Sequence, residues 1–190
     1  MNETLQTILN RRSIRKYKQE QIKEEELQLI LEAGKFAPSA MNQQPWHFTV
    51  VQNKNLMQKI NEACIVAYSK SGNRYYEERF KVMSSKETNL MYDAPTLIIV
   101  SGDEIARMPI NDCTLALENM FLAAESLGIG SCWIDALSVL YSTEEGKAFL
   151  TNESIVPEGY TLIGSSAFGY KAVDQPSSAP RRENTVTIIK

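Results

Sequence analysis

The stretch at residues 111–127 constrains the fold more than any other part of the chain. Its polar positions fall mainly at Glu118, Asn119, Glu125 and Ser126, a narrow stripe on a helical wheel. A helix with so little polar circumference has to be buried on most sides, so the rest of the chain must surround it. Asn111 suits its N-cap, and Gly128 closes it. Upstream, Pro95 introduces TLIIVSG, a continuous β-branched run that reads as a buried strand. Downstream, residues 129–134 read as a short strand containing glycine.

Around that centre the periodicities predict further elements. Asn2 caps a first helix with Leu5, Ile8 and Leu9 on one face and Arg11 and Arg12 at its C-terminal end. A second helix opens on Glu24, Glu25 and Glu26, which suit a positive helix N-terminus, and Pro38 ends it. Its apolar positions are Leu27, Ile30, Leu31 and Gly34. Residues 46–52 read as a strand, 53–67 as a helix, and 73–92 as a weaker helical stripe that could form a lid. Ser142 and Glu145 form a capping box for a helix ending near Leu150. Residues 160–169 read as a strand, 174–180 as an extended Pro/Ser linker, and 185–189 as a closing strand. About six helices and five short strands, with helix pairs between strands, predict an α+β fold and a single domain over residues 1–190.

Composition removes several function classes. The chain has 190 residues with 20 Lys+Arg against 23 Asp+Glu, a net charge of −3, which speaks against a surface built for nucleic acid. The longest apolar runs are too short to span a bilayer, and the N-terminus lacks a secretory pattern, so no membrane partner is expected. Cys64, Cys113 and Cys132 form no CxxC, and an odd count suits a reducing, cytoplasmic setting. His47 is the single histidine, which excludes a His-rich zinc site; no metal is expected. Neither GxGxxG nor GxxxxGK[ST] occurs, so a Rossmann or P-loop site is not supported.

Four segments could carry chemistry. NRRSIRKYK places Arg11, Arg12, Ser13 and Arg15 together, and guanidinium forks with a hydroxyl suit a phosphate or a pyrimidine edge. Alone, the cluster is better read as a solvated basic helix end, where cations suit the helix C-terminus. Residues 37–48, APSAMNQQPWHF, offer the uncharged amides Asn42, Gln43 and Gln44, a match for the edge of a polar heterocycle. GIGSCWID has two glycines that allow close backbone approach to a flat ligand. Arg181 and Arg182 follow the linker, just before the last predicted strand.

These pieces, in this order, resemble the nitroreductase family of FMN-dependent oxidoreductases over nearly the whole chain. The matching elements are RRSIR, PSAMNQQPWHF, the long helix into GIGSCWI, and GY followed by PRRENTV. The resemblance implies a homodimer of α+β nitroreductase-like fold, with a mostly antiparallel sheet of about five strands flanked by helices. The C-terminal strand would be exchanged between subunits. FMN would sit at the interface, with NADH or NADPH as co-substrate. In the family's pattern Arg11 and Ser13 match contacts to the FMN phosphate and ribityl chain, supported by Arg12. Arg15 matches the cation beside the flavin pyrimidine. Pro38, Ser39, Ala40 and Asn42 match the loop that reaches FMN from the other subunit, with Ala40 where a second serine is common. Trp133, Ile134 and Asp135 match the backbone that passes the reactive ring edge, and Arg181 matches a late phosphate arginine. Residues 68–92 are shorter and more charged than the excursion that covers the substrate pocket in larger members.

The resulting expectation is ping-pong hydride transfer to nitroaromatics, quinones or related small-molecule electron acceptors, with the chemistry carried by FMN and no catalytic side chain. The rivals are a non-catalytic flavin- or nucleotide-binding module, and a specialised dehalogenase or flavin-modifying enzyme on the same scaffold.

Overall fold

The structure, a computed structural model, describes residues 1–83 and 88–190. Its centre is strand β2 (Thr96–Asp103), in which every residue but the last is buried. The β-branched run earns that position because side chains alternate across a strand and both faces of this one are covered. Ile98 and Val100 point into one apolar cluster, and Leu97 and Ile99 point into another on the opposite face.

Strands β1 (Trp46–Val51), β3 (Ile129–Trp133) and β4 (Tyr160–Tyr170) complete an antiparallel sheet in the order β1-β2-β4-β3. One face carries α2 (Glu24–Lys35) and α5 (Pro109–Ser126). The other carries α3 (Lys54–Ser69), α6 (Ala136–Tyr141) and α7 (Glu144–Asn152). Helix α1 (Glu3–Asn10) lies against α5, and α4 (Arg74–Met83) against α3. Among the described residues this gives seven α-helices and four strands, an α+β sheet with helices on both faces.

Helix α5 fills the place its narrow polar stripe demands, burying Cys113, Ala116, Leu117, Met120, Phe121 and Ala124. It begins at Pro109 rather than after Asn111, because a proline at the first helical position has its φ pre-set and lacks an N–H that would go unbonded. Its end is as predicted, with Gly128 at φ +74°. Among the described residues, no helix is long and apolar enough to cross a membrane.

Three further expectations need correction. The cap of α7 is Thr143, whose Oγ1 accepts from Gly146 N at 3.0 Å, while Ser142 closes the separate short helix α6. The predicted helical stripe at 73–92 does not run through. Residues 84–87 lie outside the described residues, and the chain then turns at Tyr92 and Asp93, with φ +57° and +53°. Residues 185–189 form no strand here, and Val186, Ile188 and Ile189 are 76%, 75% and 93% exposed. β-propensity alone does not make a strand; it needs an edge to pair with.

Candidate active site

Helix α1 stops at Arg11, whose N–H still donates to Thr7 O at 2.9 Å. From there the chain runs beside β3, with Ser13 opposite Ser131 in a parallel bridge and Ile14 N donating to Ser131 O at 2.9 Å. Gly130 makes the approach possible, since a Cβ there would lie 2.9 Å from the Ile14 Cβ. Ile14 is fully buried, so alternation turns Ser13 and Arg15 away from the core.

The cations of this segment are held without being consumed. The Arg11 guanidinium lies 5.7 Å from the Phe121 ring centroid, with Nε 3.9 Å from Glu118 Oε1, an ion pair too long for a hydrogen bond. Arg12 Nη1 donates to Leu9 O and Arg11 O at 2.7 Å each, while its Nε is buried without a partner. The Arg15 guanidinium lies 5.9 Å from the Tyr92 ring centroid. Burial pushes the Cys132 thiol up; Arg15 and a hydrogen bond from Ser13 act against that shift. The thiol is therefore neutral at ordinary pH and leaves the arginine charge in place.

At the end of β3 the backbone is clamped to β4: Ile134 N donates to Ser165 O at 2.8 Å, and Ser165 Oγ donates to Ile134 O at 2.9 Å. The Trp133 ring passes over Gly164, where a Cβ would lie 2.6 Å from its Cη2. Beside Trp133 and Asp135 opens a cavity of about 150 Å³ whose other walls include Tyr68, Tyr76 and Tyr92.

The loop after α2 is built differently. Met41, Asn42 and Gln44 all have positive φ, at 54°, 54° and 47°, an unfavourable backbone for residues other than glycine. Side chains hold it there. Asp112, only 4% exposed, accepts from Ala40 N through both carboxylate oxygens, at 3.2 and 3.1 Å. Ser39 Oγ accepts from Gln44 N at 3.0 Å, Asn42 Oδ1 from Gln44 Nε2 at 2.9 Å, and Gln43 Oε1 from Arg107 N at 2.9 Å. The amides read as ligand contacts thus spend part of their capacity shaping their own loop.

The structure therefore brings Arg11, Arg12, Ser13 and Arg15 together with Trp133, Ile134 and Asp135. It puts Pro38, Ser39, Ala40 and Asn42 at the N-terminal end of α5; Asp112 precedes Glu118 there by about 9 Å of helix rise. Arg181 lies on an exposed tail that touches the body at Gln175, which donates to Asn10 O and Glu125. Sequence reasoning missed Tyr76, Tyr92, Cys132 and Asp112 as site elements. The crowding of tyrosines at 68–92 was the available signal for the first two. In sequence, nothing distinguishes Asp112 from an ordinary acid in a helix's first turn.

Comparison with known proteins identifies the family and the fold. The model of the nitroreductase family matches residues 8–170. A crystal structure of a nitroreductase with bound FMN from Bacteroides fragilis superposes with a TM-score of 0.89 at 42% identity, covering 100% of both chains. A nitroreductase with bound FMN from Desulfitobacterium hafniense gives 0.84 at 31% identity, again over 100% of both. A protein of Archaeoglobus fulgidus, provisionally named an NADH dehydrogenase/NAD(P)H nitroreductase, is 33% identical over 90% of this chain and 86% of its own.

Proposed function

The chain belongs to the nitroreductase family, and on that premise we propose that it is an FMN-dependent oxidoreductase that takes electrons from NADH or NADPH and delivers them to small organic acceptors such as nitroaromatics and quinones. The observation that carries this reading is the seating of Arg11–Arg15 on β3 through Ile14 and Ser131. It joins a phosphate-type donor set to the strand end where a flat ring can lie.

The residues present fit the cofactor. Arg11 and the Ser13 hydroxyl are donors suited to a phosphate and a polyol, and the buried, unpartnered Arg12 Nε has a desolvation cost that a ligand oxygen would relieve. Arg15 would hold a positive charge beside the pyrimidine carbonyls, and the clamped backbone at Trp133, Ile134 and Asp135 would border the ring. When bound, FMN supplies hydride acceptance from nicotinamide and reduction of the second substrate. The protein's part is orientation, exclusion of water by Trp133 and Tyr92, and the Arg15 charge, which favours an anion forming next to it.

We also propose a homodimer, with Pro38, Ser39, Ala40 and Asn42 serving the cofactor of the other subunit and Arg181 reaching it from the tail. Exposed apolar side chains support this: Leu5, Ile8 and Leu9 on α1, Ile110 and Leu115 on α5, and Val186, Ile188 and Ile189 in the tail. The side-chain scaffolding that fixes a strained loop at the surface also fits a loop shaped to meet another molecule.

Purified protein should be yellow, and heating should release FMN rather than FAD. Initial rates with NAD(P)H and a quinone should give parallel double-reciprocal lines, because both substrates use one site in turn. Protein that stayed colourless in excess FMN would overturn the reading. Bound FMN that neither nicotinamide reduces would reassign the chain as a binding module.

A further inference from the structure

The cavity beside Trp133 has aromatic walls, and among its described lining residues one side chain, Asp135, is charged. The rings of Tyr68 and Tyr76 lie 5.1 Å apart, those of Tyr75 and Tyr76 5.3 Å apart, and Trp133 is 38% exposed at the rim. Such a surface favours a flat aromatic guest through stacked and edge contacts. Asp135 is itself held in place, since Tyr76 OH donates to its Oδ2 at 2.9 Å. That bond ties α4 to the segment after β3 and uses one lone pair of a carboxylate that has several. Among the described residues, Arg74 Nε pairs with Glu78 at 2.7 Å, and Arg15, seated on the Tyr92 ring, is the cation that the reading above commits to the flavin pyrimidine.

We infer that Asp135, positioned by Tyr76, determines which electron acceptor this chain takes: flat aromatic acceptors carrying a cationic or hydrogen-bond-donating substituent are admitted, and carboxylated ones are turned away. The guest's role as acceptor rests on the oxidoreductase reading above; the charge preference is a property of the pocket itself. A carboxylate facing a ring substituent attracts a cation and repels an anion by similar amounts, so the two effects add in a comparison of the two guests. For a pair partly open to solvent the combined preference is about tenfold at low ionic strength.

Three probes share one ring and differ in charge: para-nitrobenzylamine, para-nitrobenzyl alcohol and para-nitrobenzoate. Equilibrium dialysis against the protein as purified reads binding, and NADH-driven reduction reads kcat/KM. The amine should exceed the benzoate about tenfold in both, and added salt should shrink the ratio. Asp135→Asn should bring the ratio close to one, Asp135→Glu should restore most of it, and Tyr76→Phe should keep its sign. The neutral alcohol corrects each variant for general damage. A ratio unchanged in Asp135→Asn, or wild-type protein that binds the benzoate as well as the amine, would overturn the inference. Failure of FMN to be reduced by either nicotinamide would overturn the oxidoreductase reading instead, and the dialysis ratio would still decide the pocket.

Discussion

Arg15 stands between the ring of Tyr92 and the buried thiol of Cys132. Its charge is fixed at all relevant pH, so its worth to a bound flavin lies in placement rather than titration. Arg11 is placed with the same economy by Phe121 and a long ion pair. Arg11→Ala should weaken FMN binding by about 1.5–3 kcal/mol, the range for a hydrogen bond to a charged group, as read by fluorescence titration of the released flavin. Arg15→Gln should instead leave FMN bound but slow its reduction by NADH, measured by stopped-flow bleaching. The thiols give a pH test. Burial, reinforced by the Asp112 carboxylate, pushes Cys113 up to about 12, and burial raises Cys64 and Cys132 as well. Unfolded thiols lose their protons near pH 8.5 while these stay protonated, so the folded state loses relative stability as pH rises from there toward the native values. Urea midpoints should therefore fall between pH 8 and 10, and Cys113→Ala should flatten that fall.

At the scale of elements, the decisive contact is Ile14 on Gly130. The Cβ of an alanine at 130 would meet Ile14 at its own Cβ, which cannot swing aside as a side-chain tip could. Gly130→Ala should therefore lever the Arg11–Arg15 segment off β3, costing about 1–3 kcal/mol of stability and most of the bound flavin. Urea unfolding and the flavin-to-protein absorbance ratio check the two effects separately. The same scale shows what the sequence could reveal. Elements written by local pattern were legible: the Asn2 cap on Leu5, the Gly128 stop, and the β-branched run of β2. Features set by distant contacts were not. The turn at 89–93 depends on Asn61, which accepts from Leu90 N at 2.8 Å and donates to Thr88 O at 2.8 Å across α3. The α6–α7 break turned on which of two adjacent hydroxyls, Ser142 or Thr143, did the capping. In the site, the order of motifs pointed to the arginine segment and the β3 end, which the fold lays side by side. The tyrosine crowding at 68–92 hinted at the pocket walls, while the Asp112 clamp arises only when the chain folds.

At the scale of the whole molecule, the sheet and its two helical layers leave α1, part of α5 and the C-terminal tail with apolar groups facing out. In the homodimer proposed above, a second copy covers these and brings Pro38, Ser39, Ala40 and Asn42 to the arginine segment of its partner. Truncation after Arg182 should lower dimer stability, seen by light scattering, together with flavin occupancy. Burying two or three tail side chains is worth about 1.5–3 kcal/mol each before ordering costs. Retention of both dimer and colour would confine the tail to a local role. The most direct test of the whole account is an anaerobic titration of the purified protein with NADH or NADPH, followed at the flavin band. The account predicts a yellow protein that bleaches completely at one nicotinamide per bound FMN and recovers its colour on adding a quinone. A flavin band that neither nicotinamide bleaches would contradict it.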